Sequence, residues 1–253
     1  MCYDSNAQPP EPLGVTGTAQ GEELVLTAQD GNHFAAYIAQ PSQPTGAQVI
    51  IYPDVRGLHQ FYKELALRFA KAGVLALGLD YFGRTAGLTP RDDSFEFWPH
   101  VQQLQLANFF LDVEAALGYL ASRQAGKGTT FTVGFCMGGS LSLLTGTRDL
   151  AVNGVIAFYA GLSRAFGGGK TVLEQAETIH YPVLGLFGGA DQGIPVSDVE
   201  QLGASLEKAG VEHTLKIYPG APHSFFDRRA VDHAEASNDA WKQVLGFIAS
   251  HNA

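Results

Sequence analysis

The feature that most constrains this chain is an alternation of short, uniformly apolar runs with longer segments of helical periodicity. The runs AQVIIYP from Ala47, VLALGLD from Val74, GVIAFYA from Gly154 and YPVLGLFGGAD from Tyr181 are of the first kind, and TTFTVGF from Thr129 and HTLKIYPG from His213 read as further strands. Between them, FYKELALRFAKAG places Phe61, Leu65, Phe69 and Ala72 at helical spacing and stops at Gly73. VQQLQLANFFLDVEAALGYLAS from Val101 predicts one long amphipathic helix. LSLLTGT from Leu141, VSDVEQLGASLEKAG from Val196 and DHAEASNDAWKQVLGFIAS from Asp232 predict three more. A strand that is apolar throughout has no face for solvent. The alternation therefore implies an α/β fold with a mostly parallel central sheet and helices on both faces.

Two stretches depart from the alternation. EELVLTA and HFAAYIAQ flank the turn signal QDGN and predict a β-hairpin. Residues 1–21, rich in Pro, Gly, Gln and Ala, have no period and are expected to form an extended lead-in, leaving residues 22–253 as a single domain. The segment from Tyr81 to His100 reads as irregular. Its aromatics Tyr81, Phe82, Phe95, Phe97 and Trp98 are expected to wall a pocket.

Composition narrows the partners. The formal net charge is −9, a field that repels phosphate backbones and anionic lipids, so no nucleic-acid or membrane partner is expected. The start MCYDSNAQPPEP has neither a basic nor an apolar targeting region, and no apolar run approaches the length of a spanning helix. A cytoplasmic protein is expected. Two cysteines, Cys2 and Cys136, cannot build a disulfide framework or a Cys-rich zinc site, and no metal is expected. The oligomeric state is left open between a monomer and a weak dimer.

The chemistry concentrates around Gly134-Phe135-Cys136-Met137-Gly138-Gly139, set between a strand and a helical segment. This is the pattern of a nucleophile elbow with cysteine in the serine position. A sharp strand-to-helix turn exposes the sulfur, and small neighbours are needed because backbones crowd there. A buried structural cysteine beside a glycine turn is the plainer reading, and the strand and helix around Cys136 argue against it.

An elbow in an α/β-hydrolase fold is followed in the chain by an acid and then a histidine. Asp191 follows VLGLFGGA and His223 follows TLKIYPG, both just past strand ends where open sheets place their sites. His223 is the expected base and Asp191 its orienting acid, with Asp198 as the fallback. Asp191 read without this context is a turn or helix-cap residue. The backbone N–H groups of Val55 and Met137 are the expected oxyanion donors. Asp54, in the same loop as Val55, either contacts the sulfur or is a solvated loop carboxylate.

The chain resembles the dienelactone hydrolases (carboxymethylenebutenolidases) over nearly its whole length after the lead-in. The resemblance rests on AQVIIYPDVRGLHQFYKELALRFAKAGVLALGLDYFGR, TVGFCMGGS, FYAG, LGLFGGAD and PHSFF. It implies an α/β-hydrolase fold, a Cys–Asp–His triad, no cofactor, and a small ester or lactone substrate. It also implies a carboxylate near the sulfur in the loop holding Asp54, where family members more often have Glu. Arg84, Tyr159, Phe225 and Arg228 are the expected pocket residues, with Arg91 an alternative to Arg84. Family members acting on dienelactone bind its carboxylate with an arginine shortly after the histidine. Here that position holds Asp227, which implies a neutral or differently placed substrate. Thioester or peptide hydrolysis on the same site, or a redox-responsive or ligand-binding protein without turnover, are the competing readings.

Overall fold

The computed structural model describes residues 6–123, 128–227 and 229–252. An eight-stranded sheet runs through them. Its strands are β1 (Ala19–Thr27), β2 (His33–Pro41), β3 (Ala47–Tyr52), β4 (Leu75–Leu79), β5 (Thr129–Phe135), β6 (Gly154–Phe158), β7 (Val183–Gly188) and β8 (His213–Tyr218). Their spatial order is β1-β2-β4-β3-β5-β6-β7-β8. β1 and β2 form the expected antiparallel hairpin, β2 pairs antiparallel with β4, and every other pair is parallel. The apolar runs become strands buried along their whole length in β3 through β7.

The helices are α1 (Gln60–Lys71), α2 (Gly83–Ala86), α3 (Trp98–Gln103), α4 (Leu106–Arg123), α5 (Met137–Thr145), α6 (Val172–Gln175), α7 (Val196–Lys208) and α8 (Ala234–Ser250). They cover both faces. Phe131 and Thr132 are adjacent in β5 and so point to opposite sides. Phe131 meets Phe247 of α8 (centroids 6.1 Å apart), while the Thr132 hydroxyl lies 2.7 Å from that of Ser142 in α5. α1 joins α8 through Phe69 and Trp241, centroids 4.9 Å apart.

Two boundaries differ from expectation. Pairing of β1 starts at Ala19, opposite Pro41, inside the expected lead-in, because backbone ladder bonds on an edge strand do not require apolar side chains. The rest of the described lead-in is irregular yet anchored: Trp241 Nε1 donates to the Pro10 carbonyl (2.8 Å), and Arg68 pairs with Glu11 (3.1 Å). The single helix expected from Val101 is two, broken at Leu104, whose ψ is 124°. Neither Gly nor Pro marks that break. The burial phase does: Val101 and Leu104 are buried, the next buried side chain is Phe109, and position 108, where a continuous helix would bury one, is exposed.

Strand β3 connects to β4 on one side, while β5 lies on its other side. Such a reversal opens a crevice at the carboxyl ends of the two central strands. The loop Asp54–Leu58 and Cys136 stand at the ends of β3 and β5.

Candidate active site

Cys136 caps the N-terminus of α5 with φ 55° and ψ −114°. A non-glycine residue with such a φ is strained by about 1–3 kcal/mol and persists only when its surroundings over-determine it. Here they do. A Cβ on Gly134 would sit 1.9 Å from the Gly138 carbonyl oxygen, and one on Gly138 would sit 2.1 Å and 2.2 Å from the carbonyl oxygens of Tyr52 and Pro53. The Cys136 N–H donates to the Phe158 carbonyl of β6 (3.0 Å). Among the described residues only three non-glycines have positive φ: Cys136, Tyr159 (35°) and Ser224 (61°). Tyr159 packs against His223 and Ser224 follows it, so backbone strain is concentrated at one place.

His223 Nδ1 lies 2.6 Å from Asp191 Oδ2. Asp191 Oδ1 accepts the Gly193 N–H (2.8 Å). One oxygen therefore closes the turn after β7 and the other holds the imidazole, so the turn reading and the acid reading of Asp191 describe the same side chain. The Asp191 side chain is 2% exposed and that of His223 is 31% exposed. Asp198 is engaged elsewhere, accepting the Ser163 hydroxyl at 2.5 Å.

A cleft of about 370 Å³ brings Cys136 and His223 together with Val55, Met137 and Ser140. Met137 is the first residue of α5, and first-turn N–H groups have no carbonyl partner within their helix. The walls come from the loop after β6 (Gly161, Leu162, Ser163, Arg164, Phe166), the loop after β7 (Gly193, Ile194) and the first turn of α7 (Asp198). Arg164 also lies over the Trp98 ring, 5.7 Å from its centroid. A thiol, an imidazole held by a carboxylate and the start of a helix on one cleft can support acyl transfer. Among the described residues no group of three His, Cys, Asp or Glu side chains could hold a metal ion, and no helix is long and apolar enough to cross a membrane.

Several expected pocket residues stand elsewhere. Arg84 turns toward the hairpin, where Asp30 (2.5 Å) and Asp112 (2.8 Å) hold it. Two carboxylates, one of them buried, outweigh solvent or a cleft for a guanidinium. Arg91 is buried against Asp80 (2.7 Å). Tyr159 and Phe225 are fully buried behind His223 and do not line the cleft. Of the predicted aromatic wall, Tyr81 and Phe82 are core residues. Arg228 and Cys2 lie outside the described residues. Asp227 is 3% exposed and accepts the Tyr159 hydroxyl (3.0 Å), so it does not face a substrate in the cleft.

Asp54 is fully buried, which excludes the solvated reading. Its carboxylate accepts the Arg56 N–H (2.9 Å), its own N–H donates to Tyr62 Oη (3.0 Å), and the Tyr81 hydroxyl donates to its carbonyl. The loop carrying Val55 is thus fixed from three sides. Sequence reasoning missed Ser163, Arg164, Phe166 and Ile194. The signal was there: the strand-end rule that selected Asp191 and His223 applies equally to the Gly-rich stretch after β6.

Comparisons with known proteins agree on one family. Residues 34–252 match the family model described as "Dienelactone hydrolase family". A protein of Yersinia pestis named "Putative carboxymethylenebutenolidase" is 29% identical over 240 residues, covering 90% of this chain and 88% of that one. One of the same name from Synechocystis sp. is 31% identical over 232 residues, covering 87% and 93%. The crystal structure described as "Putative Dienelactone Hydrolase" from Klebsiella pneumoniae is similar with a TM-score of 0.79 at 25% identity, over 91% of this chain and 98% of that one. A Pyrococcus horikoshii acylaminoacyl peptidase, 13% identical, shares the fold alone (TM-score 0.74, 93% of this chain and 42% of that one). With an α/β-hydrolase sheet and a family match that spans all but the lead-in and the first strand, this chain belongs to the dienelactone hydrolase family.

Proposed function

We propose that this protein hydrolyses a carboxylic ester or lactone through a thioester on Cys136. The observation that carries the reading is that Cys136 and His223 line one cleft while Asp191 holds the far nitrogen of the imidazole at 2.6 Å. With Nδ1 donating to Asp191, Nε2 is left to take the thiol proton. The thiolate attacks the carbonyl carbon, and the N–H groups of Val55 and Met137 receive the oxyanion. The C–O bond breaks and the alcohol oxygen takes the proton from His223, leaving the acyl group on sulfur. In a lactone that alcohol stays tethered. His223 then draws a proton from water, the hydroxide attacks the thioester, and Cys136 leaves protonated. A working thiol needs a reducing compartment, which fits a cytoplasmic setting.

A panel of aryl esters and lactones, run on wild type, Cys136→Ala, His223→Ala and Asp191→Asn, tests this. Cys136→Ala and His223→Ala are expected to lose turnover, with Asp191→Asn the milder case because it orients the imidazole and moves no proton in the reaction. Turnover by Cys136→Ala at the wild-type rate overturns the nucleophile assignment.

A further inference from the structure

We propose that Asp227 is a positioning residue for His223, acting through Tyr159; this rests on His223 being the base. The turn that carries the imidazole is strained. Ser224, next in the chain, has φ 61°, and its buried hydroxyl has no hydrogen-bond partner among the described residues. Side chains in such a turn keep one geometry only if the surroundings hold them. Downstream anchors are visible: the Phe225 carbonyl accepts the Ser237 hydroxyl of α8 (3.0 Å), and the Asp227 carboxylate accepts the Tyr159 hydroxyl (3.0 Å).

The second anchor differs in kind, because Tyr159 touches the imidazole itself. Its ring centroid is 4.9 Å from that of His223, at 58°. Tyr159 is in turn held by its N–H, which donates to the Leu186 carbonyl of β7 (2.8 Å), and by an edge contact with Phe225 (5.7 Å). With the backbone and ring edge fixed, the hydroxyl sets the remaining tilt of the ring. Asp227 thus sets the wall against which the imidazole rests while Asp191 holds Nδ1. Asp191 fixes one nitrogen, and Tyr159 limits rotation about that contact, so that Nε2 keeps facing the sulfur. The carboxylate at this position acts inward on the base and takes no part in reading the substrate.

The test compares Asp227→Ala, Asp227→Asn, Tyr159→Phe and the double variant Asp227→Ala/Tyr159→Phe on an uncharged aryl ester, with His223→Ala alongside and thermal unfolding of each. Asp227→Ala and Tyr159→Phe are expected to lower kcat about ten- to hundredfold, the scale of a misplaced catalytic group, with KM unchanged. The double variant should be no worse than either single one. Asp227→Asn keeps an oxygen acceptor for the tyrosine and should retain most of the activity. If Asp227→Ala does not fold, Tyr159→Phe, which removes one hydroxyl, decides alone. An unchanged kcat in folded Tyr159→Phe, or a shift in KM with kcat intact, overturns the proposal. So does a double variant whose losses multiply. If His223→Ala itself turns over normally, the hydrolase reading has failed instead.

Discussion

Residues 80–97, on one side of the central loops, are held by a buried ion pair, whereas the loops after β6 and β7 are held by the buried apolar side chains Leu162, Phe166 and Ile194 and turn polar groups toward the cleft. On the first side the Asp80–Arg91 pair has side chains 1% and 2% exposed. Arg91 also donates to the carbonyls of Gly87 (2.7 Å) and Thr89 (2.5 Å) and lies over Phe95. Tyr81 meets Phe82 edge-on, and Phe82 in turn meets Phe95 at a tilt. On the second side the Ser163 hydroxyl donates to Asp198, and Arg164 lies over the partly exposed ring of Trp98. The first side backs the loop of Asp54 and Val55. The second side meets whatever enters the cleft. Under the proposed reaction, its geometry and the recognition of its substrate fall to differently built regions, which lets the second vary without disturbing the first.

The harshest way to break this contrast is Asp80→Ala, which leaves the Arg91 cation buried without its carboxylate. A loss of about 3–5 kcal/mol in urea unfolding is expected. A loss below about 0.5 kcal/mol, ordinary for a surface change, would show that the first side is held no more firmly than the second. Arg164→Ala sharpens the contrast from the other direction. Stability should move by less than about 0.5 kcal/mol. Turnover efficiency on an ester bearing a carboxylate should fall about fivefold relative to an uncharged one, and less so in high salt. An equal effect on both esters would remove Arg164 from recognition.

The smallest effect concerns His59, the N-cap of α1, whose Nδ1 accepts the Phe61 N–H and whose Nε2 faces Asp93 at 3.5 Å. Burial, and after it the Arg56 cation, hold this imidazole below the usual histidine range. The native side chain stays neutral where the unfolded one takes a proton. Its contribution is therefore present above the unfolded value of about 6.5 and lost as pH falls through the lower folded value. Stability measured at pH 7.5 and 5.5 should show this slope in wild type, and His59→Asn, which keeps a capping side chain, should flatten it. An identical slope in both would assign it to other groups.

Much of the fold was legible because its signals are local. A strand buried along its length must avoid charge, and a helix must repeat near every fourth residue, so β3 to β7 and α1, α7 and α8 can be read from short windows. The order of Cys136, Asp191 and His223 along the chain is legible for a related reason, since each stands shortly after the end of a strand: β5 ends at Phe135, β7 at Gly188 and β8 at Tyr218. What could not be read are the directions of long side chains. Arg84 is committed by Asp30 and Asp112, which stand 54 and 28 residues away in sequence and reach it only once the hairpin and α4 have packed. Asp227 looks like a surface charge until Tyr159, 68 residues earlier, is placed beside it. The aromatic residues after β4 suggested a pocket wall because aromatics serve cores and clefts alike.

The crowding around Cys136 has a consequence for how such a site can change over generations. The atoms that fix its backbone belong to other residues: the carbonyl oxygens of Tyr52, Pro53, Gly138 and Phe158. The position of residue 136 is thus inherited from β3 and the residue after it, from β6 and from a helix, and residue 136 supplies only the atom that reacts in the proposed chemistry. An exchange of sulfur for oxygen there alters reactivity while leaving the address unchanged. A substitution at Gly134 or Gly138 does the reverse, because a single methyl group would push apart backbones that touch. In such an arrangement the glycines are the residues that drift cannot replace, and residue 136, the proposed nucleophile, is the one open to trial.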